Sequence, residues 1–481
     1  MNLQALIDLL RPSALITAAP TDDPVIGGLA VDSRQVTPGA LFFAYPGISS
    51  DGHDHVSQAI AGGAAAVVVE RQVSSVVPTI VVRDARAAAE ILAIAWYHDP
   101  MRRLRIHGVT GTNGKTTTTA MLRHVLGAAG DCGSIGTLGA YDGAGERVPS
   151  TAGQLTTPGP VDLQQTFRAM LDRGVHTVVM EASSHALHQG RLDRVPFGGG
   201  IFTNLTREHL DYHPTMEHYL AAKLRLAELV AATGVLSVNA DDPAWQALRA
   251  DGRTTSWGTE ATADLRITDL VTSAGSSHFS LVGPFGTVPV IIPQPGEWNV
   301  SNAAAATALA LGLGMPIAEI VARLQTSPQV PGRMELLASA PIHVLRDYAH
   351  TPDAMTRLLQ TLREITPARV ILVFGCGGDR DRGKRAIMGE IAAKGADLTI
   401  LTSDNPRHED PDRIIDDIVE RMPRASYQRE LDRTVAIATA LGIARAGDTV
   451  VLMGKGHETY QQIGDVKEPF DEKAIVRGLL G

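Results

Sequence analysis

The 481-residue chain is 44% hydrophobic and 20% charged, a balance that fits a soluble enzyme with more than one core. Its net charge of −9 leaves no basic stripe for nucleic acid, and two cysteines, Cys132 and Cys376, make neither a disulfide framework nor a zinc set. The opening MNLQALIDLLRPSA has no basic start and carries Asp8 inside its apolar run, so no signal peptide is expected; no run of 18 apolar residues is present to span a membrane. The expectation is a cytoplasmic, loop-rich α/β protein, given 47 Gly, 27 Pro and 4% aromatic residues.

Residues 1–98 hold short β-like runs, GGLAVDSR and ALFFAYPG, and one αβ passage, VSQAIAGGAAAVVVE. A break falls at HDPMRR, where Pro100 follows an alanine-rich helix. The second region, 99–332, opens with the strand LRIHGVT, a glycine turn and the helix TTTTAMLRHVLGAAG. Buried-type strands recur at HTVVMEAS, GGIFTNLT and GVLSVNAD. Between 264 and 293 short alternating segments, DLRITDL, SHFSLVG and TVPVIIP, predict a small antiparallel addition. The helices NVSNAAAATALALGLG and PIAEIVARLQ follow, and QVPGRMEL reads as a hinge. In the third region, 333–481, strands such as IHVLRDYA, ARVILVFG, DLTILTS and DTVVLMG alternate with helices. That rhythm predicts a mostly parallel sheet with helices on both faces.

His107 to Thr119 reads H-G-V-T-G-T-N-G-K-T-T-T-T, between a strand and a helix. Backbone amides and a helix N-terminus can cradle phosphates there. Gly111 and Gly114 allow close backbone approach, Lys115 can reach the β/γ-phosphates and Thr116 can offer a hydroxyl to Mg²⁺. The usual pattern wants a further glycine where Val109 stands. Nucleotide binding is expected, but a phosphate loop alone names no reaction.

The helix expected from Thr215 to Val230 carries an anomaly. On a 100° wheel Lys223 lies at the centre of the apolar face, among Met216, Tyr219, Leu220, Leu226, Ala227 and Val230. Glu217, His218, Arg225 and Glu228 fall opposite. A lysine so placed must snorkel, pair or lose its charge. A neutral amine could react with carbon dioxide and become a carbamate, an acidic metal ligand. Glu181 ends the strand VHTVVME, and His209 lies in TNLTREHLDYH after another strand. Magnesium prefers oxygen, so a glutamate and a carbamate suit it.

Thr402 to Pro411 reads T-S-D-N-P-R-H-E-D-P after the apolar run Ala396 to Leu401. Loops at the carboxyl ends of such strands hold ligands in open α/β sheets. Pro406 stiffens the turn, Asp404 and Asn405 can bond to nearby backbone, and Arg407 offers a planar fork suited to a carboxylate. An isolated arginine beside a helix is more often a surface residue, and only the loop position raises the alternative.

With these residues assembled, the chain resembles the Mur ligases of peptidoglycan synthesis, through all three regions. GTNGKTT at 111–117 is that family's form of the phosphate loop, and MEASSHAL, FTNLTREHLDYH, YLAAKLRL, EWNVSNAAAA, PGRMEL, DYAHTPD, GCGGDRDRGKR and GKGHE follow in the expected order. The resemblance implies a small UDP-binding domain, a central ATPase domain and a Rossmann-like C-terminal domain. It implies ATP contacts at Gly111, Thr112, Asn113, Gly114, Lys115, Thr116 and Thr117, with Asn299 and Asn302 near adenine and Arg333 and Asp347 reaching the nucleotide from the third domain. Lys223 is then carbamylated and catalytic with Lys115, Glu181 and His209, and Thr116, Glu181, His209 and Lys223 surround Mg²⁺. Val31 and Ser33, in VDSR, match nucleotide-sugar contacts; Thr156, Thr157, Ser183, Gln189 and Arg191 match muramyl-peptide contacts. GISSD at 47–51 is less like its relatives.

Family members that add meso-diaminopimelate carry D-N-P-R at 404–407, whereas lysine-adding members usually replace the arginine. Diaminopimelate has an extra distal carboxylate that Arg407 could pair with, and Glu458 would accept from its distal ammonium. Arg385, Asp404, Asn405, Pro406, Arg407, Gly454 and Glu458 form the implied amino-acid set. The implied reaction joins meso-diaminopimelate to the γ-carboxylate of UDP-N-acetylmuramoyl-L-alanyl-D-glutamate through an acyl phosphate, with ATP as co-substrate. Closure of the third domain would keep water from that intermediate, and a monomer is expected. His185 and His350 are candidates for the base that deprotonates the amine. L-Lysine or L-ornithine is the alternative amino acid. A folylpolyglutamate synthase shares the loop and chemistry but not the N-terminal domain, DNPR and GKGHE. A nucleotide-driven switch or transport ATPase leaves Lys223 unexplained.

Overall fold

The computed structural model describes residues 1–47, 50–127, 130–149 and 155–481. Residues 48–49 of GISSD and Ala128–Ala129, near the expected end of the phosphate-loop helix, lie outside them. The described chain gathers into two compact units. Met1–Lys115, Leu126–Val238 and Asp242–Thr255 make the first; Thr116–Val125, Asn239–Asp241 and Ser256–Gly481 make the second.

The first unit contains two sheets. The N-terminal one runs in the order Ile16–Ala18, Thr79–Val82, Ala66–Val69, Ala40–Phe43, Gly28–Ala30, parallel except for its first pairing. ALFF and AVVV are buried at every position, as strands covered on both faces require. The opening MNLQALIDLL forms a helix, Leu3–Leu10, whose Leu3, Leu6, Ile7 and Leu10 share the i, i+3, i+4, i+7 face and enter this core. The second sheet orders Val230–Asn239, Phe197–Phe202, Arg105–Thr110, Thr177–Glu181, Cys132–Gly136 and Gly139–Tyr141, all parallel but the last pair. Ile106, Val178, Met180, Phe202 and Leu226 are buried together in its core.

In the second unit, Leu265–Thr272, Ser277–Gly283 and Gly286–Ile292 pair antiparallel, as the alternating pattern predicts. The helices Glu297–Gly312 and Ile317–Leu324 follow. The C-terminal sheet runs Glu335–Ala338, His343–Asp347, Thr449–Met453, Val370–Phe374, Leu398–Leu401, Tyr427–Arg429. Its first pairing is antiparallel and the rest are parallel. PGRMEL is thus a turn that leads into an edge strand: buried Glu335 accepts from Arg346 Nη2 (2.7 Å) and Lys473 Nζ (2.8 Å). A hairpin of Tyr460–Ile463 and Val466–Pro469 follows GKGHE, where the sequence gives only a weak alternation. Among the described residues no helix is long and apolar enough to cross a membrane.

Candidate functional site

Gly111 leaves the strand Arg105–Thr110 between the ends of Phe197–Phe202 and Thr177–Glu181. Gly111 (φ +148°) and Gly114 (φ +85°) adopt backbone that side chains resist, and a Cβ on Gly111 would strike Thr203 Oγ1. The neighbouring strand's exit loop fixes the turn: Thr112 N donates to Asn204 O (2.7 Å), Asn113 N to Asn204 Oδ1 (2.9 Å) and Thr203 Oγ1 to Asn113 O (2.7 Å). Lys115 Nζ donates to the loop's own carbonyls of Gly111 (2.9 Å) and Thr112 (2.8 Å).

The helix Met216–Leu229 is capped by Thr215 and buries Tyr219, Ala222, Lys223, Leu226 and Ala227, the face the wheel predicts. Lys223 is 1% exposed, which excludes snorkelling. Its Nζ donates to Gly111 O at 2.6 Å and lies 4.4 Å from the Tyr219 ring centroid. Burial, then the charge of Lys115, holds its pKa well below the usual lysine range, so the amine is poised to be neutral. Glu181 is equally buried, its two oxygens accepting from Thr137 N (2.8 Å) and Thr137 Oγ1 (3.1 Å). His209 (φ +56°) has its pKa lowered by burial, and its ring meets His185 edge-on at 4.8 Å. His185 stacks on Tyr212 at 4.2 Å and is pushed down to about 4, first by burial and then by His209. Among the described residues no three His, Cys, Asp or Glu side chains come together to hold a metal.

The muramyl-peptide set forms a continuous network in the same unit. Thr156 Oγ1 lies 3.2 Å from Thr137 Oγ1; Thr157 Oγ1 bonds to Glu181 O (2.8 Å) and Ser183 Oγ (3.1 Å). Arg191 Nη1 donates to Thr157 O (3.0 Å), while its Nε and Nη2 donate to Gln189 Oε1 (2.9 and 2.6 Å). Gln189 Nε2 donates to Tyr212 Oη (3.1 Å). In the N-terminal sheet, Val31 is half-buried against the core and Ser33 Oγ donates to Gln58 Oε1 (2.8 Å).

In the second unit Thr116 and Thr117 are buried, and Thr118 Oγ1 donates to Asn302 Oδ1 at 3.0 Å. Asn299 Nδ2 is taken up by Pro295 O (2.7 Å). Arg333 Nη2 lies 3.4 Å from Thr116 Oγ1, and its guanidinium sits 4.8 Å over the Tyr348 ring. Asp347 accepts from Met334 N and Ala349 N (both 2.7 Å), while burial raises its pKa. His350, the other candidate base, places Nδ1 2.9 Å from Tyr348 O.

The strand order Thr449–Met453, Val370–Phe374, Leu398–Leu401 sets three exit loops side by side: GKGHE, GCGGDRDR and TSDNPR. Asn405 Nδ2 donates to Glu458 Oε2 (2.8 Å), and a Cβ on Gly454 (φ +111°) would touch Asp404 Oδ2. Pro406 is buried and Arg407 half-buried with φ +50°. Arg407 Nη1 donates to Gly378 O (2.7 Å), and the hairpin pins its backbone through Arg407 N to Gln462 O (3.1 Å) and Gly464 N to Arg407 O (2.8 Å). Arg385 reaches the same loop as Arg407 but is already engaged in ion pairs. It is 1% exposed, paired with Glu409 (2.9 Å) and Asp417 (2.8 Å), with Nη2 on Gly377 O (3.2 Å).

Two residues that the motifs did not single out belong to these networks. Lys455 is fully buried, its Nζ on Asn405 Oδ1 (3.0 Å) and 3.5 Å from Glu458 Oε2. Burial lowers its pKa, and the Asp404 carboxylate opposes that shift. The signal was its place inside GKGHE. Arg86 Nη1 donates to Gln189 Oε1 at 3.0 Å; VRDARAAAE has the pattern of an ordinary helix start and gives no sign of it.

Three family models cover the chain in order: the Mur ligase family catalytic domain over residues 25–103, the Mur ligase middle domain over 109–310, and the Mur ligase glutamate ligase domain over 332–456. The chain is 43% identical over 470 residues to the UDP-N-acetylmuramoyl-L-alanyl-D-glutamate--2,6-diaminopimelate ligase of Geobacillus thermodenitrificans, with 95% of each chain covered. It is 43% identical over 465 residues to the ligase of the same name from Gloeobacter violaceus, covering 95% of this chain and 94% of that one. A solved structure of a ligase of that name superposes with a TM-score of 0.66 at 34% identity, over 95% of this chain and 94% of the other. With its three regions matched in order and relatives of this identity along nearly its whole length, the chain belongs to the Mur ligase family.

Proposed function

We propose that this chain is an ATP-dependent amide ligase that joins meso-diaminopimelate to the γ-carboxylate of D-glutamate in UDP-N-acetylmuramoyl-L-alanyl-D-glutamate, a cytoplasmic step of peptidoglycan precursor synthesis. In this reading residues 1–98 receive the UDP end, 99–332 bind ATP and 333–481 take the amino acid. The observation that carries the choice of amino acid is the loop cluster in which Asn405 bonds Glu458 at 2.8 Å beside Arg407. It offers a carboxylate for the distal ammonium and a guanidinium for the distal carboxylate, the two ends of a diamino diacid. The relatives named above support the same assignment.

Lys115 and the amides of Gly111–Thr117 would hold the β/γ-phosphates, where such transfers depend on positioning and charge compensation. As free side chains, Glu181, His209 and Lys223 make a poor magnesium set, because the amine is a donor and Glu181 already accepts from Thr137. Carboxylation of Lys223 would add oxygen ligands, and with them Thr116, Glu181, His209 and Lys223 would hold Mg²⁺. The bound ion would supply positive charge to the phosphate oxygens. The γ-carboxylate of D-glutamate takes the γ-phosphoryl group and releases ADP. The amine of diaminopimelate then attacks the acyl carbon, loses a proton and expels phosphate. The deciding experiment measures phosphate release and tripeptide formation with the UDP-muramyl dipeptide and each of diaminopimelate, lysine and ornithine. Turnover with diaminopimelate alone is expected; turnover with lysine but not diaminopimelate would overturn the role of Arg407.

A further inference from the structure

Arg86 and Arg191 come from distant parts of the chain and aim at one atom. Gln189 Oε1 accepts from Arg86 Nη1 (3.0 Å), Arg191 Nε (2.9 Å) and Arg191 Nη2 (2.6 Å). A neutral amide oxygen has two lone pairs, so three donors from two cations oversubscribe it. Among the described residues neither guanidinium has a carboxylate within ion-pair distance. Burial, and next the charge of Arg86, lowers the pKa of Arg191. Two like charges held this close without a counter-charge are matched by a multiply charged anion, for which planar guanidinium forks are well suited.

The position of Arg86 says which anion. It follows the strand Thr79–Val82, while Ser33 follows Gly28–Ala30 and Tyr45 follows Ala40–Phe43, so all three occupy the carboxyl-end rim of one parallel sheet. Arg86 Nη2 reaches Pro46 O (3.3 Å) and its guanidinium lies 4.8 Å over the Tyr45 ring. On its other side it meets Gln189, and through it Arg191 and Thr157. In a nucleotide-sugar substrate the group between the nucleoside and the muramyl peptide is the diphosphate. The peptide carboxylates lie at the far end, which must reach the phosphate loop. We propose that Arg86 is a substrate-binding residue that clamps the diphosphate of the nucleotide sugar together with Arg191; this rests on the ligase reading above.

The test compares wild type with R86Q and R86K, measuring affinity for UDP and uridine by calorimetry and KM for the UDP-muramyl dipeptide and diaminopimelate in the ligation assay. R86Q is expected to weaken UDP binding about 10- to 100-fold, leave uridine within about twofold, and raise only the nucleotide-sugar KM, by a similar factor. R86K should recover part of the loss. Unchanged UDP affinity in R86Q alongside a raised KM would assign the guanidinium to a peptide carboxylate and overturn the clamp. Equal weakening of uridine would reduce Arg86 to a support for the 45–46 loop, which also overturns it. A wild type that ligates normally while R86Q matches it refutes the clamp alone. A wild type that neither ligates nor binds UDP refutes the ligase reading with it.

Discussion

The amine of Lys223 lies 2.6 Å from the carbonyl oxygen of Gly111, so the helix Met216–Leu229 touches the first residue of the phosphate loop with a buried, chargeable group. A core position there would be better filled by leucine on packing grounds. An ammonium deprived of water and set near Lys115 is destabilised, and the neutral amine it becomes is a nucleophile.

If that amine carries a carbamate, K223A should lower turnover about 100- to 1,000-fold, the scale of losing one preorganised electrostatic group. Added acetate should restore part of it by occupying the vacated space as a carboxylate. The check is initial rate against acetate concentration, with wild type assayed in bicarbonate-free buffer. Undiminished wild-type activity there, or no acetate response, would remove the carbamate from the mechanism.

Arg407 should set the choice of amino acid. Its half-buried fork is fixed by the hairpin and by Gly378 O, and the backbone at φ +50° shows that the loop holds a conformation few side chains adopt freely. R407A is expected to raise KM for diaminopimelate about 10- to 100-fold while leaving KM for ATP within about twofold. R407K should recover little, because an ammonium cannot make the bidentate contact. Steady-state kinetics with each substrate varied in turn would decide it.

The elements bearing these residues were legible because each has a strong local signal. The phosphate loop combines a strand, glycines and a Lys-Thr pair, and Lys223 breaks an apolar face that is otherwise regular. Other parts were hidden for physical reasons. Arg385 matches a contact motif, yet only the packing of Glu409 and Asp417 around it reveals a buried ion-pair centre. Arg86 and Lys455 act through partners 103 and 50 positions away, distances no periodicity reports. The hairpin Tyr460–Ile463/Val466–Pro469 is largely exposed, so its sequence lacks the apolar alternation that marks half-buried strands.

Arg385 should therefore act on stability before it acts on KM. R385M leaves Glu409 with Arg382 Nη2 and the Asp379 amide and leaves Asp417 facing solvent, so it should cost about 1–3 kcal/mol, less than stranding a fully buried charge. The pair also predicts a pH dependence. The Arg385 hydrogen bond is the largest cause holding the Glu409 carboxyl down at about 2. A carboxyl lowered on folding stabilises the fold above its ordinary value near 4.5 and loses that contribution as pH falls toward 2. Thermal midpoints of wild type and R385M should differ most at neutral pH and converge in acid; a constant gap would show that Glu409 is not the titrating partner.

Glu90 should act with the opposite sign. It is 5% exposed, accepts from Arg194 N at 3.1 Å and lies 3.6 Å from Arg194 Nε, yet burial outweighs both and raises its pKa to about 7. The unfolded carboxyl ionises near 4.5. Between those values the folded protein keeps a proton that the unfolded chain has released, so the contribution to stability falls as pH rises, by about 3 kcal/mol across the window. E90Q preserves an acceptor for Arg194 N and has no proton to lose. Measured against wild type, the variant should be of equal stability near pH 4.5, increasingly the more stable of the two as pH rises to about 7, and ahead by a constant margin beyond that. Because every other titrating group is common to both proteins, the difference in their unfolding midpoints isolates this carboxyl. Parallel curves from pH 4.5 to 8 would mean that Glu90 ionises in the folded core as readily as in water.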